Sequence, residues 1–177
     1  MKYIFSVLLL GILFTSCSFS KSKVSVKDVI ETSFQYVTKI EPKSLILSSA
    51  QFKQIRNMAK AAIDTKVYRY YTILSDTKKI GVAVLITRKV RSKKATVLYA
   101  FDETGTLRFS EIMAFGEPPE FIPSKIWMSQ LQQQKPSAKL TVGKDIPTIS
   151  GATLSARSIT QSARVARAIY NIVLKHK

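Results

Sequence analysis

The sequence is poor in the residues that hold metals and clusters. Among its 177 residues it has one cysteine, Cys17, and one histidine, His176. A single cysteine cannot form an internal disulfide, a cysteine-ligated iron–sulfur site or the CxxCH attachment of a haem. The histidine is second from the C-terminus, where we expect it to be solvated. The composition therefore predicts no metal site.

The chain also lacks an apolar run long enough to span a bilayer. Residues 3–14 are nearly all apolar, but a membrane-spanning helix needs about 17 to 25 such residues. With Lys2 before the run and small residues after it, residues 1–16 have the layout of an export signal. Cys17 follows, at a place that resembles the acylated cysteine of a bacterial lipobox. We expect a lipid-anchored protein; the alternative is a plain secretory signal cleaved nearby.

Acidic residues are scarce as well. The chain has 28 Lys and Arg against 11 Asp and Glu, a formal net charge of +17 at pH 7. Removal of residues 1–16 would take away one lysine and leave 27 basic residues against 11 acidic ones, or +16. Such a charge is typical of nucleic-acid binding, but export predicts no nucleic-acid partner. Anionic lipid, cell-wall polymer or an acidic redox partner are expected instead, and charge alone does not choose among them.

Four short runs rich in β-branched and aromatic residues predict strands. Short polar connections join them, and short connections make neighbouring strands antiparallel. One connection, DETG, offers Gly105 for a positive φ angle. Another, the basic run 88–94, is expected to be a solvated hairpin tip. The product is a four-stranded or larger meander. The runs are residues 67–74, 80–87, 95–101 and 106–115.

Helical spacing of apolar residues predicts helices before and after the meander. A weak helix covers residues 26–39, and a stronger one begins at a serine cap, Ser48 or Ser49, and continues to residue 63. After the strands, Ser124 caps a short helix. Because helices flank an antiparallel sheet, the predicted fold class is α+β.

The last predicted helix runs from about Ser155 to His176. Its apolar residues recur on one side, which we expect to pack on the sheet. Arg157 and Arg164 fall on the other side, which we expect to face solvent.

The segment ISGATLSARSIT opens this helix. Gly151 and Ala152 have no bulk and stand directly before Thr153. A helix start offers unpaired N–H groups and partial positive charge, which suit a phosphate, and Arg157 adds a charged donor one turn later. The chain has neither a P-loop nor a GxGxxG pattern for noncovalent phosphate. A threonine hydroxyl between small residues is therefore interpreted as a modification site; the alternative is a simple helix cap.

The segment SGATLS resembles the flavinylation motif of FMN-binding domains, which occur in the Rnf electron-transport complex, the sodium-pumping quinone reductase and many exported flavoproteins. In that family the phosphate of FMN is joined by an ester bond to the threonine after Gly-Ala, here Thr153. A flavin transferase installs it from FAD. The segment FGEPPEFIPSKIWMSQL, residues 115–131, is similar to a second family segment. The family commonly has an aspartate where this chain has Pro147.

The resemblance implies the site and the domain division. Residues 17–46 form an N-terminal segment with a weak helix, and residues 47–177 form the FMN-binding domain. Covalent FMN is expected on Thr153. The other expected cofactor-binding residues are Ser150, Gly151, Ala152, Leu154, Ser155, Arg157 and Glu117.

The function implied by the resemblance is electron transfer outside the cytoplasm. FMN performs the redox chemistry, and no general acid or nucleophile stands out, which favours a carrier over a turnover enzyme. Implied partners are a flavin transferase and a redox protein or quinone-linked membrane complex, met at the periplasmic or cell-surface side of a membrane. Two alternatives stay open. One is a basic surface lipoprotein that binds anionic lipid or polymer without a cofactor, and the other is a flavin-dependent reductase of a small substrate.

Overall fold

An antiparallel sheet of five strands organises the chain in the computed structural model, which describes residues 25–177. The strands lie in chain order, so each pairs with its neighbours in sequence. This arrangement confirms the predicted α+β class and the meander. The strands are β1 (Lys39–Ile46), β2 (Val67–Ser75), β3 (Lys78–Lys89), β4 (Lys94–Asp102) and β5 (Leu107–Phe115).

Helices pack on both faces of this sheet, because successive side chains of a strand point to opposite faces. The first helix covers one face, where Ile30 joins a core with Ile73 and Leu98, and the later helices cover the other. No helix within residues 25–177 is long and apolar enough to cross a membrane. The helices are α1 (Val26–Ser33), α2 (Ser49–Ala59), a 3-10 turn (Pro119–Phe121), α3 (Lys125–Ser129) and α4 (Thr153–Ile169), continued by a π-helical turn (Tyr170–Leu174).

The four predicted strands are present within a few residues of their expected ends. The turn between β4 and β5 contains Gly105 with φ of +85°, as its position in DETG predicted. The connection between β3 and β4 is a tight tip closed by a hydrogen bond from the Val90 N–H to the Lys93 carbonyl at 2.9 Å. The local sequence was therefore sufficient to place these strands.

β1 is the strand that the sequence did not predict. The predicted weak helix over residues 26–39 is shorter and ends with α1, and Lys39–Ile46 is a strand. Pro42 lies inside this strand and opposite β2, because an edge strand tolerates a residue without an N–H donor. Only Leu45 of the strand is buried, so the sequence lacks the alternation that marks a strand.

Serine caps fix the starts of α2 and α3 as predicted. The Ser48 hydroxyl accepts from the Gln51 N–H at 3.2 Å, and the Gln51 side chain accepts from the Ser48 N–H at 3.0 Å, a capping box. α2 stops short of the predicted residue 63, because Lys60 takes a left-handed conformation with φ of +46°. Ser124 caps α3 by accepting from the Trp127 N–H at 3.2 Å.

α4 begins at Thr153 and is mostly buried, because α2 packs against the side that the sequence predicted to face solvent. Arg157 is exposed, as predicted. Arg164 instead donates from Nε to the carbonyl of Ala59 at 2.8 Å and from Nη1 to that of Leu140 at 3.1 Å. The prediction that Arg164 faces solvent is therefore wrong, and this residue joins α4 to the end of α2.

Candidate functional site

Thr153 is the first residue of α4 and is half-buried. Its Oγ1 donates to the carbonyl of Ile149 at 3.3 Å, which is long for a hydroxyl hydrogen bond. Gly151 has φ of +76°, and no atom lies within 4 Å of the position that a Cβ would occupy there. Glycine adopts this angle without strain. The small residues thus form a tight turn and leave open space beside the threonine.

The start of α4 has no side-chain cap. Its N-cap residue, Ala152, has no side-chain group that could accept from the N–H groups of the first turn. Within residues 25–177, no acceptor is found for the N–H groups of Thr153, Leu154 and Ser155. Such groups give a helix start its partial positive charge, and the exposed Arg157 adds a full charge one turn later. An anion at this point would be stabilised.

A cavity of about 350 Å³ opens beside the start of α4. The tip of the β3–β4 hairpin, the segment after β5 and the first turn of α4 form its walls. Its size is within the range of about 300–1,000 Å³ usual for small-molecule sites. Ser150 and Arg157, both predicted site residues, are exposed and do not line it. The lining residues are Val90, Arg91, Glu117, Phe121, Gly151, Ala152, Thr153, Leu154 and Ser155.

Glu117 binds the hairpin tip that forms one wall of this cavity. Its side chain is only 6% exposed, and its Oε2 accepts from the Ser92 hydroxyl at 3.1 Å. Hydrogen bonds from the backbone, first that of Lys93, hold the pKa of the Glu117 carboxyl below its ordinary value. Oε1 accepts from the backbone N–H groups of Arg91 (2.9 Å), Ser92 (2.6 Å) and Lys93 (2.6 Å). Both carboxylate oxygens therefore accept hydrogen bonds from the hairpin tip.

The segments that form the cavity coincide with a known domain. Residues 91–168 match the family model of the FMN-binding domain. This part of the chain is similar to the FMN-binding domain family. The matched span begins at the hairpin tip and ends within α4, so it includes every residue that lines the cavity except Val90. No curated protein matches the chain. The family match supports FMN binding and a role as a flavin-binding electron carrier.

Arg91 is the charged residue of this cavity that the predicted site residues did not include, and Val90 and Phe121 are the two apolar ones. Its guanidinium carbon lies 5.4 Å from the ring centre of Phe121, a cation–π distance. The end of β3 beside it is held to α4, because the Ser158 hydroxyl donates to the Lys89 carbonyl at 3.0 Å. In sequence Arg91 is one of several basic residues of a hairpin tip. Its place on the cavity wall depends on contacts distant in sequence, those of Glu117 with the tip and of Ser158 with the end of β3.

Trp127 supports the loop that leads to the start of α4. It is buried, and its Nε1 donates to the carbonyl of Pro147 at 2.8 Å. The tryptophan does not line the cavity, so it acts as a core residue. The acceptor is a backbone carbonyl, which every residue type has at position 147. The hydrogen bond is therefore kept with proline at this position, where the family commonly has aspartate.

The residues present fit a phosphate-bearing flavin. The uncapped start of α4 and Arg91 provide for the phosphate charge. Val90, Phe121 and Leu154 supply apolar surface for a ring system. The hydroxyl proposed for attachment, Thr153 Oγ1, belongs to a residue of the same wall.

Proposed function

We propose that this protein is an extracytoplasmic electron carrier whose FMN is joined through a phosphoester bond to Oγ1 of Thr153. The observation that supports this most strongly is the position of the threonine on the cavity wall, at a helix start without a cap. Within residues 25–177, the only hydrogen bond of its hydroxyl is the long one to the Ile149 carbonyl. Little is therefore lost when the hydroxyl is esterified.

The attachment step needs a flavin transferase and FAD. The bond formed joins Thr153 Oγ1 to the phosphorus on the flavin side of FAD, the pyrophosphate bond breaks, AMP leaves, and the threonine hydroxyl loses its proton. The exposed Ser150 and Gly151 leave room for the transferase to approach. The charge of the ester phosphate would then lie at the N–H groups that begin α4.

Electron relay fits the lining of the cavity better than reduction of a substrate. When bound, FMN supplies the redox chemistry, and the surrounding residues orient it and set its potential. Arg91 and Arg157 are positive, and nearby positive charge stabilises the more negative, reduced cofactor. Glu117 is the carboxylate among the lining residues, and hydrogen bonds already occupy both of its oxygens. It is therefore poorly placed to act as an acid toward a substrate.

The location of the protein is part of the same proposal. The export signal over residues 1–16 and the lipid attachment at Cys17 lie outside the residues that the structure describes. Anchored there, the domain would meet its flavin transferase and then a redox protein or quinone-linked membrane complex on the outer side of the membrane. A covalent tether suits that location, because a cofactor lost outside the cell could not be recaptured.

The test is co-expression of the exported protein with a flavin transferase, followed by absorbance and intact-mass measurement. The wild type should be yellow and heavier by one FMN residue. Thr153→Ala should abolish both signals and keep the fold, as judged by circular dichroism. Thr148→Ala, a matched change of an exposed threonine outside the cavity lining, should keep both. A colourless, unmodified wild type would favour the basic binding protein without a cofactor.

A further inference from the structure

A second cavity, of about 510 Å³, lies toward the opposite end of α4. The end of α2, the loop around residues 136–141 and the last turns of α4 surround it. Arg164 on its wall follows Thr153 by eleven residues, or about 16 Å along the helix at 1.5 Å per residue. The two cavities share no lining residue. This second cavity is therefore independent of the flavin site.

Arg167 is a buried cation on this wall and has no acidic partner. Its side chain is 7% exposed, and its Nε is buried without an acceptor. All 11 acidic residues of the chain lie in the described part, and none forms an ion pair with it. Its other nitrogens donate to the carbonyls of Ala138 and Gln134. Buried charges in proteins are normally paired, and Arg167 has no carboxylate to pair with among the described residues.

Burial lowers the pKa of Arg167 to about 10. The group nevertheless remains protonated at neutral pH. The unpaired charge is therefore present under physiological conditions.

Three more cations surround the same cavity. Arg164 donates only to backbone carbonyls, which carry partial charges. Lys60 and Lys139 are exposed at the rim, and neither forms an ion pair within residues 25–177. No aspartate or glutamate lines the cavity. A concave surface with charge of one sign concentrates counter-ions.

We propose that this cavity binds an organic phosphate. The four cations more than offset the charge of about −2 that a phosphate ester carries at neutral pH, and arginine suits its geometry. The cavity is larger than a bare phosphate requires, and its remaining wall is mixed, with Met58 and Ala168 as apolar surface and Thr141 and Asn171 as polar groups. Such a wall suits a short carbon skeleton with hydroxyls. A soluble phosphate ester and the glycerophosphate head group of an anionic lipid share this chemistry.

Titration of the full-length protein with glycerol 3-phosphate tests this directly, by calorimetry at physiological salt. Lys60→Gln with Lys139→Gln should weaken saturable binding about tenfold, since each lysine can supply a charge-assisted hydrogen bond. Lys53→Gln with Lys144→Gln is the matched control, because both lysines are exposed and outside the cavity. The control should bind like the wild type. Thr153→Ala should also bind normally, whatever the outcome for flavin.

Vesicles of phosphatidylglycerol and phosphatidylcholine then distinguish the two sources. If the site takes a lipid head group, the anionic vesicles should retain the control more strongly than the cavity variant. Both proteins carry the same N-terminus, so any lipid anchor contributes equally. If the natural ligand is soluble, the two variants should differ only with glycerol 3-phosphate. Absence of saturable binding to both probes, or equal weakening in both double variants, would overturn the proposal.

Discussion

At the scale of single residues, Gly151 controls the turn that presents Thr153. Its φ of +76° lies in the left-handed region, and a Cβ added there would touch nothing within 4 Å. A substitution would therefore act through backbone conformation alone. Gly143 has φ of +82° and equally open space. It lies outside the cavity at the start of α4, which is the proposed flavin cavity. Substitutions at the two glycines form a matched pair. Both introduce backbone strain, but only the one at Gly151 also affects how Thr153 is presented.

Gly151→Ala and Gly143→Ala should each lower the free energy of unfolding by about 1 kcal/mol, the usual cost of a left-handed alanine. Urea denaturation measures this loss. Only Gly151→Ala should also reduce the fraction of protein that carries FMN after co-expression with the transferase, as counted by intact mass. Equal flavin loading of both variants would show that this turn does not govern attachment.

Arg91 should raise the reduction potential of the bound flavin. Arg91→Gln should lower the potential by about 20 mV, since an exposed charge pair is worth up to about 1 kcal/mol and 30 mV corresponds to about 1.4 kcal/mol for two electrons. Lys93→Gln removes an exposed charge from the same tip but outside the cavity lining. Spectroelectrochemical titration compares the two. A larger shift for Lys93→Gln would place the flavin elsewhere.

The sequence predicts some residues of the site and not others, for a physical reason. Thr153 and its small neighbours form one local motif next to a helix start, so their chemistry is visible in the sequence. The position of Arg91 on the cavity wall depends on Glu117, which lies 26 residues later in the chain and binds the backbone of the hairpin tip. A contact of that kind leaves no periodic or compositional signal. Arg164 was misplaced because α2 covers the side of α4 that it occupies.

At the scale of elements, the β3–β4 hairpin reaches the flavin cavity because one carboxylate binds its tip. The pKa of Glu117 is lowered in the folded protein, so folding favours its charged form. The resulting stability is present in full above its ordinary pKa of 4.5 and is lost as the pH falls through the lowered folded-state pKa. Acid should therefore loosen this wall of the cavity.

Glu117→Gln should lower the free energy of unfolding at neutral pH, because an amide cannot match a carboxylate as the acceptor of these N–H groups. The same variant should show a weaker loss of stability than the wild type as the pH is lowered below about 4.5. Glu120→Gln, an exposed neighbour, serves as the control. Urea denaturation over a series of pH values measures the free energy of unfolding at neutral pH and its loss at low pH. Parallel pH profiles for the wild type and Glu117→Gln would refute this role.

Elements with strong local patterns were predictable, and edge elements were not. β2 to β5 are rich in β-branched and aromatic residues, and the caps of α2 and α3 are serines at the expected places. β1 contains a proline, and most of its residues are exposed or only half-buried. β1 is a strand because it pairs with β2, although its own sequence does not favour one. Tertiary contacts thus decide such segments against local preference.

At the scale of the whole molecule, α4 separates two regions that suit anions. Its start faces the flavin cavity, and its later turns line the cationic cavity. With 28 basic and 11 acidic residues, most positive charge has no partner within the chain. That surplus is available to a phosphate ester, a lipid surface or an acidic redox protein, and its reach in solution is about 8 Å at physiological salt. Salt should therefore weaken each of these associations.

Peptide mapping of protein purified from its native host is the most direct test of the flavin attachment. Trypsin cleaves after Lys144 and Arg157 and releases residues 145–157, which contain four hydroxyl side chains at positions 148, 150, 153 and 155. We expect this peptide to carry the mass of one FMN residue, with fragment ions that assign it to Thr153. An unmodified peptide, or FMN on another of the four hydroxyls, would show that Thr153 is not the attachment site.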